Sequence, residues 1–222
     1  MPTRGGFQQQ INDLQDELIV LGSMAQKATL RAMDAFHARD LNAARGIAHD
    51  DNAIDEKRYS IEEEAMRILA MQQPMAGDLR LIAAVLQLAS EIERIGDHAE
   101  GIARIVVMLG DEGPIREVPE LEAMAERAVS MLDRSLKAFV ERDTTTARAV
   151  CDEDDEVDAL QDRVYHRLLK EMFDQPAIIT KATYLIWVSH NLERIADRST
   201  NICERVVFLT TGRMEEMNVS VY

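Results

Sequence analysis

The sequence is poor in the residues that interrupt helices or staple small folds together. Its 222 residues include 10 glycines, 5 prolines and 2 cysteines, and aromatic residues make up only 5%. The cysteines form no Cys-x-x-Cys motif, which excludes a zinc ribbon or a thioredoxin-type site, and nothing in the sequence requires a disulfide. This composition favours helices along the whole chain.

Basic residues are scarce relative to acidic ones. The chain has 25 Lys and Arg against 40 Asp and Glu, which gives a formal net charge of −15. A surface of this charge repels a phosphate backbone, so direct binding to nucleic acid is not expected. The same field attracts cations and is compatible with a basic partner protein.

Long apolar runs are missing as well. No stretch is long enough to cross a bilayer, and the N-terminal residues lack the apolar core of a signal peptide. Nucleotide-binding loops and nucleophile elbows are also absent. The 46% of hydrophobic residues still predicts a substantial core. We therefore expect a cytoplasmic globular protein that is not an enzyme and meets membranes only peripherally, through partners.

Apolar residues recur every three or four positions along most of the chain, which predicts amphipathic helices. Six helices are expected, in two sets of three, with a linker rich in glycine and proline at 110–119. No segment shows the alternation of a strand. The predicted fold is therefore all-α, with two tandem three-helix bundles related by internal duplication, at residues 1–111 and 112–222.

Short polar residues and prolines mark the helix ends. Asp40 and Asp143 are candidate N-caps of the second and fifth helices, and Asp78 is a candidate start signal for the third. Pro74 and Pro176 end the second and fifth helices. The two caps lie 103 positions apart and the two prolines 102 apart, so both halves share one layout.

One motif occurs in the third helix of each half. The segment from Glu93 to Asp97 reads Glu-Arg-Ile-Gly-Asp, and that from Glu193 to Asp197, 100 positions later, reads Glu-Arg-Ile-Ala-Asp. Carboxylates four positions apart share one helix face and repel by roughly 0.2–0.5 kcal/mol. A repelling pair that is duplicated predicts a positive partner, either a metal ion or arginines of neighbouring helices, rather than an idle solvated face.

The stripe that carries these acids differs between the halves. It continues with Asn201 and Glu204 in the second half, where the first half has Gly101 and Arg104. All four positions of the second stripe offer oxygen atoms, whereas the first loses two of them. We therefore predict two unequal sites, the second being the more complete.

A second set of acids lies near the start of helices two and five. Asp51 and Asp55 match Asp154 and Asp158 at an offset of 103. The helix dipole alone favours acids there, so a structural role is an equal alternative. Antiparallel neighbours would nevertheless bring both acidic sets together. The predicted metal ligands are therefore Glu93, Asp97, Glu193, Asp197, Asn201, Glu204, Asp51, Asp55, Asp154 and Asp158.

The ligand type limits the metal but does not name it. Carboxylate and amide oxygens without thiolates suit hard divalent or trivalent ions, among which iron, magnesium, manganese, zinc and calcium stay open. A ferritin-type oxidase is disfavoured because no histidine has Glu three positions before it.

At these residues the chain resembles the PhoU family of phosphate-transport accessory proteins. The segments that carry the resemblance are 73–81, 93–98, 193–198 and 201–204. The resemblance covers nearly the whole chain and implies paired three-helix bundles, clusters of iron or other divalent ions on the repeated motifs, and homodimers in many members. The chain departs from the family pattern at Gly101 and Arg104, where Asn and Glu are usual.

The resemblance also implies a role in phosphate homeostasis. Proteins of this kind are thought to couple the ATPase subunit of the phosphate ABC transporter to the sensor histidine kinase PhoR. They act as negative regulators of phosphate uptake and of the phosphate-starvation (Pho) regulon. Two alternatives stay open: a metal-dependent enzyme acting on phosphate compounds, and a structural or chaperone-like helical module.

Overall fold

A computed structural model of the chain describes residues 4–110, 117–215 and 217. Its elements are α1 (Arg4–Ala38), α2 (Leu41–Gln72), α3 (Ala76–Leu109), α4 (Pro119–Glu141), α5 (Thr144–Asp152), α6 (Asp154–Asp174), a 3-10 turn (Pro176–Ile178) and α7 (Ile179–Thr211). This part of the chain contains no strand, so the all-α prediction is confirmed. Its helices also include none that is long and apolar enough to span a membrane.

Two predicted N-caps are confirmed. The carboxylates of Asp40 and Asp143 each accept hydrogen bonds from the backbone N–H groups two and three residues later, at 2.9–3.1 Å. The third helix, α3, begins at Ala76, two residues before its predicted start signal Asp78. Asp78 lies inside its first turn, where the helix dipole favours an acid.

The expected fifth helix is two helices in the structure. Glu153 separates α5 from α6, and its N–H bonds the carbonyl of Val150 at 3.3 Å, three residues back instead of four. Arg134 on α4 holds the Glu153 carboxylate from outside. The local tightening that breaks the helix thus coincides with an ion pair to another element.

The two halves pack side by side along two pairs of helices. α3 lies antiparallel to α7, with Arg198 contacting Glu91 and Asn191 contacting His98. α1 lies against α4, where Gly22 leaves room for Leu136. Buried residues of both halves form one continuous core. The predicted boundary at 111/112, and most of the predicted linker, lie outside the described residues.

The repeated apolar seams lie at the centre of this core. The seam residues are buried along the last helix of each half: Ile92, Ile95, Ala99, Ile102, Val106 and Leu109 in α3, and Leu192, Ile195, Ser199, Ile202, Val206 and Leu209 in α7. Because the acidic residues follow the seam by one position, they lie at the edge of the core, where burial is partial.

Candidate cation-binding site

The structure places the two acidic sets of each half on facing helices. In the first half, Asp55 on α2 acts electrostatically on Glu93 of α3, and Asp97 acts on Asp51. In the second half, Asp154 and Asp158 on α6 act on Glu193 of α7. Asp197 on α7 also acts on Glu193 and on Asp158, so the antiparallel packing expected from the sequence brings eight carboxylates into two clusters, one per half.

Gly96 allows α2 to approach α3 closely in the first cluster. A Cβ atom at this position would lie 2.9 Å from Cδ1 of Ile54 and 3.3 Å from Oδ1 of Asp51. The missing side chain thus lets the Asp51 carboxylate rest on the surface of α3. The second half has Ala196 instead, and there Asp154 is buried.

Burial and mutual repulsion weaken the acids of the first cluster. Burial, together with the charges of Glu100, Asp97 and Asp55, raises the pKa of Asp51 to about 6. Burial also raises the pKa of Glu93, with Asp97 adding to the rise and Arg58 opposing it. The cluster therefore holds more negative charge than its surroundings neutralise.

The second cluster has the same imbalance. Burial raises the pKa of Glu193 to about 7, even though the neighbouring Arg194 opposes the rise. The pKa of Asp158 is raised by burial and by Asp155 and Asp162 on its own helix. Carboxylates with weakened acidity on facing helices are typical of sites that accept a cation or a proton.

Arginines contact the second motif more extensively than the first. Arg194 Nε lies 3.0 Å from Glu193 Oε2, although without hydrogen-bond geometry, and its Nη1 lies 3.4 Å from Asp197. Arg198 adds a contact of 3.6 Å to the same aspartate. These arginines belong to α7 itself, so part of the expected positive partner comes from the motif's own helix.

In the first motif, one arginine comes from the neighbouring helix. Arg58 Nε on α2 lies 3.5 Å from Glu93 Oε1. Asp97 is exposed, and no ion pair of it is found among residues 4–110, 117–215 and 217. The first cluster is thus the less compensated of the two.

The two further oxygen-bearing residues of the second stripe, Asn201 and Glu204, contact residues outside the cluster. Asn201 donates a hydrogen bond of 3.1 Å to Glu91 of α3, and Glu204 accepts one of 2.9 Å from the backbone N–H of Met217. At the matching positions of the first half, Arg104 pairs with Glu100 at 2.7 Å, and Gly101 faces Asn191. The structure therefore brings Glu193 and Asp197 together with α6 but engages Asn201 and Glu204 elsewhere.

Sequence reasoning missed Glu100. Its charge is the largest electrostatic contribution to the raised pKa of Asp51, and its side chain is only 13% exposed. The matching residue of the second half is Thr200, whose hydroxyl donates to the carbonyl of Asp197. The first cluster therefore contains a fifth acid on the motif helix, at a position where the second half has a threonine.

Sequence reasoning also missed a repeated ion pair beside the clusters. Arg31 of α1 pairs with Asp50 at 2.8 Å, and Arg134 of α4 pairs with Glu153, with one contact at 2.7 Å. Both partners are related by the offset of 103 that relates the N-caps, so the duplication was detectable. Each pair fixes the chain directly before the first acid of the cluster, Asp51 or Asp154.

The clusters are loose rather than closed. Within the part of the chain that the structure describes, no three His, Cys, Asp or Glu side chains converge on a single point. The chemistry of the donors nevertheless fits a hard cation, because both helices of each pair contribute carboxylate oxygens whose charge is not fully neutralised.

The duplication is also found when the chain is compared with known protein families. The family model described as PhoU domain matches the chain twice, at residues 18–106 and 121–206. These two segments correspond to the two halves of the fold, so the predicted tandem repeat is confirmed.

Relatives match almost the full length. The PhoU homologue of the phosphate-specific transport system from Clostridium acetobutylicum is 38% identical over 217 residues, which cover 97% of this chain and 99% of the relative. The homologue from Streptococcus pneumoniae is 32% identical over 219 residues, covering 97% and 100%.

Solved structures agree. The crystal structure of the phosphate transport system regulatory protein PhoU from Streptococcus pneumoniae matches with a TM-score of 0.89 at 30% identity, covering 95% of this chain and 99% of that one. PhoU from Pseudomonas aeruginosa matches with a TM-score of 0.89 at 32% identity, covering 93% and 100%. The duplicated motif, the paired bundles and these matches agree: the chain belongs to the PhoU family.

Proposed function

We propose that this protein is a regulatory accessory component of phosphate transport, which restrains phosphate uptake and the phosphate-starvation response and binds cations at its two carboxylate clusters. The regulatory part rests on the family membership and on the relatives, which are named as accessory and regulatory proteins of phosphate transport. Regulation is proposed rather than catalysis for the same reason.

One observation carries the cation part. In each half, burial and the charges of acids on two facing helices raise carboxyl pKa values, to about 6 for Asp51 and about 7 for Glu193. A hard cation would offset this repulsion and link α2 to α3 and α6 to α7. The residues that would hold it are Asp51, Asp55, Glu93 and Asp97 in the first half, and Asp154, Asp158, Glu193 and Asp197 in the second.

Asn201 and Glu204 belong to the proposed site only conditionally. Each would first have to leave its present partner, Glu91 for the amide and the Met217 backbone for the carboxylate. The choice among iron, magnesium, manganese, zinc and calcium is left to measurement, because oxygen donors select a class of ion.

The proposed partners follow from the accessory role. As an adaptor, the chain would contact the ATPase subunit of the phosphate ABC transporter and the sensor histidine kinase PhoR from the cytoplasmic side, acting as a homodimer. The net charge of −15 favours basic docking surfaces on those partners.

Two measurements on the same variants test the two parts separately. Metal content of the purified full chain is measured by elemental analysis for the wild type, Asp51→Asn/Glu93→Gln and Asp154→Asn/Glu193→Gln. The exposed neighbour Glu56→Gln on α2 serves as the control. We expect each double variant to lose the metal of its own half and the control to keep both. Equal loss from both doubles would contradict two separate sites.

The regulatory part is read from a phosphate-starvation reporter in cells that lack their own copy of this chain. We expect the wild-type chain to silence the reporter when phosphate is plentiful. Silencing by a protein that binds no metal would remove the cation part and leave the regulatory part standing. A reporter that stays active with a folded wild-type chain would contradict the regulatory part.

A further inference from the structure

The only two cysteines of the chain lie against each other between α5 and α7. Cys151 and Cys203 are both buried free thiols, although they are 52 positions apart in the sequence. Their side chains share a hydrogen bond, and Cys151 also lies 3.9 Å from the carbonyl oxygen of Thr200, one turn before Cys203. The two cysteines of the chain, which are far apart in the sequence, thus lie together in the fold.

The first half shows that the fold does not need thiols at this place. The offsets of 103 and 100 that relate the two halves place Ala48 opposite Cys151 and Ala103 opposite Cys203. Ala103 is fully buried, so the same helix crossing packs well with methyl groups. In the second half both positions are cysteine, and in the first half both are alanine. A paired difference of this kind is unexpected for residues that serve packing alone.

The surroundings place a cation beside the pair. Arg134, which Glu153 holds in place, lowers the pKa of Cys203, against the larger rise caused by the hydrogen bond to Cys151 and by burial. Burial and the interaction with Cys151 keep Cys203 as a thiol in the folded state. An arginine next to them stabilises a thiolate when the helices open briefly.

We propose that Cys151 and Cys203 form a redox-sensitive dithiol, which a low-molecular-weight disulfide oxidises to a reversible intramolecular disulfide. One protein thiolate attacks a sulfur of the reagent, forms a mixed disulfide and expels one small thiol. The second cysteine attacks the protein sulfur of that mixed disulfide, closes the Cys151–Cys203 bond and expels the other small thiol. The protein loses two electrons and two protons, and the reagent gains both.

The bond would fix a part of the molecule that is otherwise held by side chains. Cys151 lies two residues before Glu153, where α5 gives way to α6, and Cys203 lies on the helix that carries Glu193. Oxidation therefore ties the end of α5 to α7 next to the second carboxylate cluster, and the first half has no such bond. The proposal does not depend on cation binding.

The test equilibrates the purified full chain in buffers of graded ratios of reduced to oxidised glutathione. Free thiols are then alkylated under denaturing conditions, and the products are weighed by mass spectrometry. We expect both thiols to disappear together, with a loss of about 2 Da and no added glutathione, and to return with dithiothreitol. The disulfide should raise Tm by roughly 5–10 °C, because it closes a long loop.

Cys151→Ala/Cys203→Ala, which copies the first half, is the matched control, and its Tm should not respond to the buffer. Each single alanine variant should gain one glutathione or none. The oxidation is repeated in urea below the unfolding transition, so that slow access to buried sulfur cannot hide the reaction. Two alkylatable thiols under all these conditions, or only glutathione adducts and linked dimers, would overturn the proposal.

Discussion

The two halves of this molecule share one helix layout but solve the same electrostatic problem differently. In the second half, Arg194 and Arg198 lie on the motif helix and contact Glu193 and Asp197. In the first half, a single arginine from α2 contacts Glu93. The first half also adds Glu100, where the second has Thr200.

This difference bears on the prediction that the two sites are unequal. The stripe of oxygen donors predicts that the second site is the more complete, but Asn201 and Glu204 are engaged by other elements. The first cluster has lost those two donors and gained a fifth acid with fewer compensating charges. Duplication thus preserved the acid pairs, while the residues around them diverged.

The largest expected effect concerns Glu193. Its folded pKa of about 7 exceeds the ordinary value of 4.5, so the folded chain holds a proton that the unfolded chain releases between these values. The carboxylate therefore lowers stability as the pH rises from about 4.5 to about 7. With a chelator present, Glu193→Gln should raise the free energy of unfolding at pH 8 by about 2–3 kcal/mol, and by almost nothing at pH 4.

Urea denaturation at both pH values checks this prediction, with Glu93→Gln as the matched variant of the other half. An arginine opposes the pKa rise in both halves, but the side chain of Glu93 is 19% exposed against 12% for Glu193, so burial raises the pKa of Glu93 less. At pH 8, the free energy of unfolding should therefore rise less for Glu93→Gln than for Glu193→Gln. An equal gain in both halves would remove the electrostatic difference between them.

The second prediction compares the repeated ion pairs. Arg134 makes two contacts with Glu153 at sites about one-third exposed, whereas Arg31 makes one contact with Asp50 at sites about half exposed. Arg134→Ala should cost about 1–2 kcal/mol, and Arg31→Ala less than about 1 kcal/mol. Thermal unfolding of the two variants decides, and the reverse order would show that the shared geometry hides different roles.

The third prediction restores the family residue at Gly101. A Cβ atom there would lie 2.7 Å from Oδ1 of Asn191, which also contacts His98. Gly101→Asn should cost about 1 kcal/mol, because overpacking outweighs the gain in helix propensity. Adding Asn191→Ala should recover most of the loss, as measured by urea denaturation. No recovery would mean that the overlap is not the cause.

The smallest expected effect tests the fifth acid. Glu100→Gln removes the charge that contributes most to the raised pKa of Asp51, so this pKa should fall below about 6. Carboxyl titration followed by NMR measures this change. Thr200→Val, at the matching position, should leave the pKa of Glu193 in place. A pKa of Asp51 that does not move would exclude Glu100 from the cluster.

Sequence periodicity predicted what depends on one helix at a time. Both N-caps, both apolar seams and the doubled acid pairs follow from local spacing, and the structure has them where they were expected. The roles of Glu100 and Asn201 depend on how far α2 or α3 lies from them, which no single-helix pattern contains. The break at Glu153 likewise depends on Arg134 of another helix.

The antiparallel contact of α3 and α7 has a mechanical consequence. Arg198 reaches Glu91, and the residues that match them in the other half, His98 and Asn191, also touch, so the joint is related to itself by a half-turn. A translation of α3 along α7 would separate both pairs of residues at once. The two contacts therefore hold α3 and α7 in one register, and any displacement of the halves along these helices has to break both.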